Sequence, residues 1–168
     1  GERLTEESFN KYRAEGGIVI IHLMKPEWIK AILSDPRVMV ASDGMPYAPG
    51  AHPRGAGTFA RFLGRYVRDQ ELISLMGGLA KMTLMPAQRL AAISPQMRRK
   101  GRIQIGSEAD ITIFSADRII DTADFESELS YSEGVQYVLV NGQFVVWDGE
   151  LVEGARPGRA ILGRRAVF

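Results

Sequence analysis

Two short stretches hold the side chains of this sequence best placed to do chemistry. The first is VMVASDGMPY, residues 38–47, where an apolar run from Val38 to Ala41 ends in Ser42, Asp43 and Gly44. A carboxylate at the end of a buried run is costly unless it is paired, hydrogen-bonded or bound to a metal. Asp43 is therefore either part of a Ser-Asp-Gly turn, where Asp and Gly are favoured for local backbone reasons, or a catalytic group at the C-terminal end of a barrel strand. The second stretch is His52-Pro53-Arg54, in a glycine-rich loop about ten residues further on. A guanidinium there is placed to grip an anionic substrate group, because its fork matches a carboxylate bidentately. The same arginine also reads as an ordinary surface-loop cation. The residues alone favour the turn for Asp43, because short strand-then-Asp-Gly patterns are common, and leave both readings of Arg54 open.

Other candidates read as structure. His22, in IVIIHLM, is a lone histidine and fits a packed, hydrogen-bonded role. The run Arg98, Arg99, Lys100, Arg102 has no interleaved aromatics to stack bases, so it reads as a solvated link between domains. Asp110 heads an apolar strand and is expected to satisfy backbone groups in a turn. The Trp and Tyr residues of 131–147 alternate along strands, as core or sheet surface.

The elements that must position these groups change character along the chain. Thr5 to Arg13 reads as a helix with Thr5 as its N-cap, closed by Gly16-Gly17. Ile18 to Leu23 reads as a buried strand. KPEWIKAILSDP is a short helix with Pro26 in its first turn, stopped by Asp35-Pro36. Val38 to Ser42 is then a second buried strand, and two strands apolar on both faces around a helix give the parallel α/β pattern. Residues 44–57 form a loop. Phe59, Phe62, Leu63, Tyr66 and Val67 follow at amphipathic helical spacing. Leu72 to Met82 continues as helix, weakened by Gly77-Gly78, and MPAQRLAAI is another, with Pro86 in its first turn. From residue 101 the runs are short and β-rich, including GRIQIGSEADITIF and the Gly/Pro-rich close. Asn141-Gly142 and Asp148-Gly149 are hairpin turns, since both pairs tolerate positive φ.

The bulk properties bound the function. With 168 residues, 45% hydrophobic and 24% charged, the chain reads as a globular protein able to bury a core. A formal net charge of +1 gives no global basic field, so nucleic acid is not an expected partner. No apolar run approaches roughly 18 residues, so no membrane span is expected. The absence of cysteine removes disulfides and thiolate ligands within the chain and fits a cytoplasmic protein. No signal peptide is read, and GERLTEESF, lacking an initiator Met, opens as though inside a domain.

Together the motifs resemble the C-terminal part of the N-acyl-D-amino-acid deacylases (D-aminoacylases) of the amidohydrolase superfamily. The resemblance rests on VMVASDG at 38–44, HPRGAGTFARFLGRYVRD at 52–69, KMTLMPAQRLA at 81–91, GRIQIGSEADITIFSAD at 101–117 and VQYVLVNGQFVVWDGELVEGARPGRAI at 135–161. EADITIF and VNGQFVV are shared across much of the superfamily and argue fold. SDG with HPRGAGTF argues the subfamily.

The resemblance implies an α/β fold: the last strands and helices of a metal-dependent (β/α)8 barrel in residues 1–97, then part of a small β-sandwich in residues 98–168. It implies zinc, one or two ions in the complete enzyme, with most ligands outside this chain. Asp43 would stand at the metal centre as ligand and catalytic group, taking a proton from the attacking water and passing it to the leaving amine. Arg54 would bind the α-carboxylate of a small N-acyl amino acid, and His52 would shape the loop. The family's metal-binding histidines and bridging ligand fall upstream of these residues, and a full barrel takes about 250 residues. The chain is therefore expected to be a fragment, inactive alone, whose partner is the missing N-terminal part. The alternatives are a cyclic-amide hydrolase of hydantoinase or dihydroorotase type, against which HPRGAGTF argues, and a non-catalytic structural or interaction module.

Overall fold

The computed structural model describes residues 3–16, 20–44, 52–125 and 130–163. Five helical elements come first: α1 (Glu6–Glu15), α2 (Pro26–Ser34), α3 (Arg54–Arg61), α4 (Leu75–Met82) and α5 (Leu84–Leu90). Helix α3 runs without a break into a π-helical stretch, Phe62–Asp69. A 3-10 turn, Pro95–Arg99, leads to the strands β1 (Ile111–Phe114), β2 (Val135–Val140), β3 (Gln143–Trp147) and β4 (Glu150–Leu151). The strands form one antiparallel sheet in the order β1-β2-β3-β4.

Local chemistry accounts for most of these boundaries. The Thr5 side chain accepts from the Ser8 N–H, and Ser8 Oγ accepts from the Thr5 N–H in return, a reciprocal cap that starts α1. Pro26 starts α2, where a missing N–H costs nothing. Asn141 and Gly142 have φ of 49° and 79°, and Asp148 and Gly149 have φ of 50° and 84°. Two consecutive positive φ values make the two-residue turn whose twist matches that of the strands it joins. Val140 thus faces Gln143 across the first hairpin and Trp147 faces Glu150 across the second.

The buried core lies along α3 and its π-helical continuation, with Ala60, Phe62, Leu63 and Val67 packed with Val40 and Ile119. Segment 119–121 lies directly on this helix. A Cβ on Gly64 would come within 2.3 Å of the Ile119 carbonyl oxygen, and one on Gly57 within 2.7 Å of Asp121 Cβ, so the contact needs glycine at both places. Arginines secure it. Arg61 pairs with the buried Asp121 carboxylate at 2.7 Å, and Arg68 Nη1 donates to the Ile119 carbonyl at 2.7 Å.

Three sequence expectations meet a different outcome. Residues 20–25 carry no strand, and Ile21 and Leu23 are exposed; Ile18 and Val19, from the same expected strand, lie outside the described residues. Residues 38–42 form no strand and pair with no described strand. Only Val40 of this run is buried, and its N–H donates to the Lys81 carbonyl at 3.1 Å. A parallel strand acquires its ladder from neighbours that are distant in sequence, and the described strands pair only with one another. Residues 101–106 form turns rather than a strand, with Ile103 and Ile105 exposed. Among the described residues, no helix is long and apolar enough to cross a membrane.

Candidate functional site

The path to Asp43 begins at the end of α2. Asp35 caps that helix, and its carboxylate accepts from the Arg37 N–H at 2.9 Å and from the Arg37 guanidinium at 2.6 Å. The Arg37 side chain and N–H bonds hold the Asp35 carboxyl at a pKa of about 2. Lys81 of α4, only 4% exposed, donates its Nζ to the Asp35 carbonyl and to the Val38 carbonyl, the latter at 2.8 Å. The Lys81 carbonyl in turn receives the Val40 N–H. A buried ammonium is tolerated only where its donors are used, and here they fasten residues 35–40 to α4.

Beyond this anchor the chain turns at Ser42-Asp43-Gly44. Ser42 Oγ accepts from the Gly44 N–H at 3.2 Å, and Asp43 adopts φ of 47°. Asp is among the few side chains that enter this left-handed region readily. The result is a carboxylate turned outward, its side chain 83% exposed. The turn touches the start of α3: a Cβ on Gly44 would lie 3.0 Å from Gly55 Cα.

Arg54, the first residue of α3, reaches back across this contact. Its Nε donates to the Asp43 carbonyl at 3.0 Å and its Nη2 meets the Asp43 carboxylate at 2.9 Å. The two residues singled out in the sequence therefore stand together. His52 lies behind them: its Nδ1 accepts from the Arg54 N–H at 3.1 Å, so the ring proton is on Nε2. The His52 ring also packs edge-on to Phe125, with centroids 4.9 Å apart, and His22 packs on the same ring at 4.8 Å. Burial pushes the His52 imidazole below its ordinary pKa; Arg54 and His22 push the same way and Asp43 opposes them.

This arrangement offers an accessible carboxylate for proton transfer beside a guanidinium able to hold an anion. Asp43 also fits as a single hard oxygen ligand. Among the described residues, no three His, Cys, Asp or Glu side chains come together to hold a metal ion, whereas a catalytic zinc site typically takes three protein ligands. The described side chains thus do not by themselves make up a metal site.

The remaining sequence candidates are structural. Asp110 accepts from the Asn141 N–H at 2.8 Å and pairs with Lys100, tying the link to the first hairpin. Burial pushes its carboxyl up, but the Asn141 N–H and Lys100 outweigh that and hold it below its ordinary value. Arg99 pairs with Glu108 at 2.5 Å, so the basic run ties neighbouring chain together. Tyr137, Phe144 and Trp147 form an edge-to-face cluster on the sheet. Two residues near the site escaped sequence reading. Phe125 carries no local signal for this role, because both histidine rings it packs against lie far upstream in the sequence. Lys81 carries one, since it sits three residues beyond the buried Gly78 on the inward face of α4.

Comparison with known proteins bears on this site. Residues 4–146 match the Amidohydrolase family. N-acyl-D-aspartate deacylase of Alcaligenes xylosoxydans xylosoxydans is 38% identical over 148 residues, which is 88% of this chain and 28% of that protein. The crystal structure of D-aminoacylase, described as defining a novel subset of amidohydrolases, superposes with a TM-score of 0.75 at 33% identity, over 82% of this chain and 28% of that one. N-acyl-D-glutamate deacylase of Bordetella bronchiseptica, solved with zinc and a phosphonate mimic of the tetrahedral intermediate, gives 0.68 at 36% identity, over 76% and 27%. The chain thus spans little more than a quarter of the length of these relatives.

Proposed function

The chain belongs to the amidohydrolase family, and from that premise we propose that it is the C-terminal part of a zinc-dependent hydrolase acting on N-acyl-D-amino acids. The observation that carries the reading is the meeting of Asp43 and Arg54, at 2.9 Å, across two separate segments. The matched relatives are deacylases by name, which supports the substrate class. In this reading residues 1–97 are the closing end of the barrel and residues 98–168 contribute strands of the β-sandwich.

The chemistry assigned to the chain's own residues is proton transfer and substrate orientation. Asp43 takes a proton from water as the water oxygen bonds to the acyl carbon. The C–N bond then breaks, and the same carboxyl gives its proton to the departing nitrogen, leaving a carboxylate and a free D-amino acid. Arg54 holds the substrate's α-carboxylate, which fixes the scissile amide over Asp43. Two of its five N–H donors face Asp43 in the structure, and the guanidinium fork suits a carboxylate. Zinc, with ligands from beyond this chain and Asp43 as one ligand within it, would supply Lewis acidity at the carbonyl and acidify the attacking water.

The relatives above name neither a cyclic-amide hydrolase nor a non-catalytic module. The test is amine release from N-acetyl-D- and N-acetyl-L-amino acids by the zinc-loaded full-length protein. Hydrolysis confined to the D series is expected; no hydrolysis of either, or faster hydrolysis of a cyclic amide, would overturn the assignment.

A further inference from the structure

We infer that His52 is a positioning residue for substrate recognition, setting the pose of Arg54 from behind through its backbone N–H. The inference rests on the reading of Arg54 as the carboxylate clamp and gives that clamp a support of its own.

The first N–H groups of a helix have no partner within the helix and must find one elsewhere. Pro53, at the cap position of α3, makes no capping bond with its side chain. His52 takes over on both of its functional groups. Its Nδ1 accepts the Arg54 N–H at 3.1 Å and its carbonyl accepts the Gly55 N–H at 3.0 Å. The same residue thus fixes the backbone from which the Arg54 side chain departs. The bond requires a bare Nδ1, and two features maintain it: the ring is half-buried, and Phe125 holds it edge-on at 4.9 Å. The guanidinium departs from this fixed backbone toward the Asp43 turn, with Nε 3.0 Å from the Asp43 carbonyl. A clamp that must orient a carboxylate through a fork is sensitive to such anchoring, since small displacements in positioning groups are expensive in rate.

The experiment compares five forms of the full-length zinc enzyme: native, His52→Phe, His52→Asn, Arg54→Met and the double variant His52→Phe/Arg54→Met. Each is assayed on an N-acyl-D-amino acid and on the matching neutral α-amide. His52→Phe keeps a ring against Phe125 but removes the acceptor. It should lower kcat/KM for the acid by about 3- to 10-fold, mostly through KM, and change the amide by less than about two-fold, in line with loss of one hydrogen bond at a helix start. His52→Asn restores an acceptor that caps helices well and should recover most of the loss. In the Arg54→Met background, His52→Phe should cost almost nothing, because both act through one group. Equal losses on acid and amide, no rescue by Asn, or fully additive losses would each overturn the inference. If Arg54→Met itself treats acid and amide alike, the carboxylate assignment fails instead, independently of how His52→Phe behaves.

Discussion

The β-meander and the segments that carry Asp43 and Arg54 hold their shapes in opposite ways. In the meander, β2, β3 and β4 are joined by two-residue turns, and each strand finds its hydrogen-bond partner a few residues along the chain. Around Asp43 the backbone depends on single side chains from elsewhere. Lys81 reaches residues 35 and 38 from more than 40 residues away, and Arg54 reaches Asp43 from eleven residues away. The meander is set by short-range chemistry that leaves little to the rest of the protein. The site is set by a few long-range bonds, each able to be cut singly, and the chemistry proposed for this chain falls where the backbone is least self-sufficient.

The sharpest contrast comes from Asp43. In the full-length enzyme, Asp43→Asn keeps the outline of the side chain and removes the base. It should lower kcat by about 10²- to 10⁴-fold while leaving the thermal midpoint nearly unchanged. Steady-state kinetics beside a melting curve checks both, and a variant with near-native kcat would reduce Asp43 to a turn residue. Arg54→Met comes next, with kcat/KM for the acid substrate falling by about 10- to 150-fold, as for a lost hydrogen bond to a charged group. Arg54→Lys should recover only part, because an ammonium lacks the fork.

Lys81→Met tests the dependence on long-range bonds directly. It leaves two backbone carbonyls without their donor, at about 1–3 kcal/mol for each that stays buried. Hydrogen exchange should then accelerate at Val38 and Val40 and stay unchanged at residues 135–147. Equal acceleration in the meander would show that the two regions unfold as one and would erase the contrast. The smallest effect is in acid. Arg37 holds the Asp35 carboxyl at about 2, so the folded state binds this proton less readily than the unfolded chain. Its contribution to stability is complete above roughly pH 4 and is lost as pH falls toward 2. Carboxyl NMR should find Asp35 titrating near that value, and Arg37→Ala should return it toward 3.8.

What the sequence disclosed follows the same division. The Thr5 cap, the Pro26 start and the Asn141-Gly142 and Asp148-Gly149 turns were legible because each depends on residues adjacent in sequence. The apolar character of residues 38–42 predicts a strand, yet pairing depends on neighbours that a local pattern does not contain. The glycine pair 77–78 read as a weakness in α4. In the structure Gly78 is where α4 meets the preceding helix, with Val67 Cγ2 only 2.9 Å from where a Cβ would be. Asp43 and Arg54 were each legible as reactive types, and the family resemblance joined them in one role. Their contact at 2.9 Å, the support from His52 and the ring of Phe125 between two histidines required the folded chain.

Arginines occupy positions 54, 61 and 68, at intervals of seven, and each is held: by Asp43, by Asp121 and by the Ile119 carbonyl. With Gly57 and Gly64 admitting segment 119–121 against the helix, these contacts fix the helix's angular phase as well as its place. An α-helix advances about 100° per residue. Inserting one residue between 57 and 61 would therefore leave Arg61 and Arg68 seated only if Arg54 swung about that far around the axis. The direction in which Arg54 points is thus written into a surface further along the helix, and a change in register there reaches the site as a rotation.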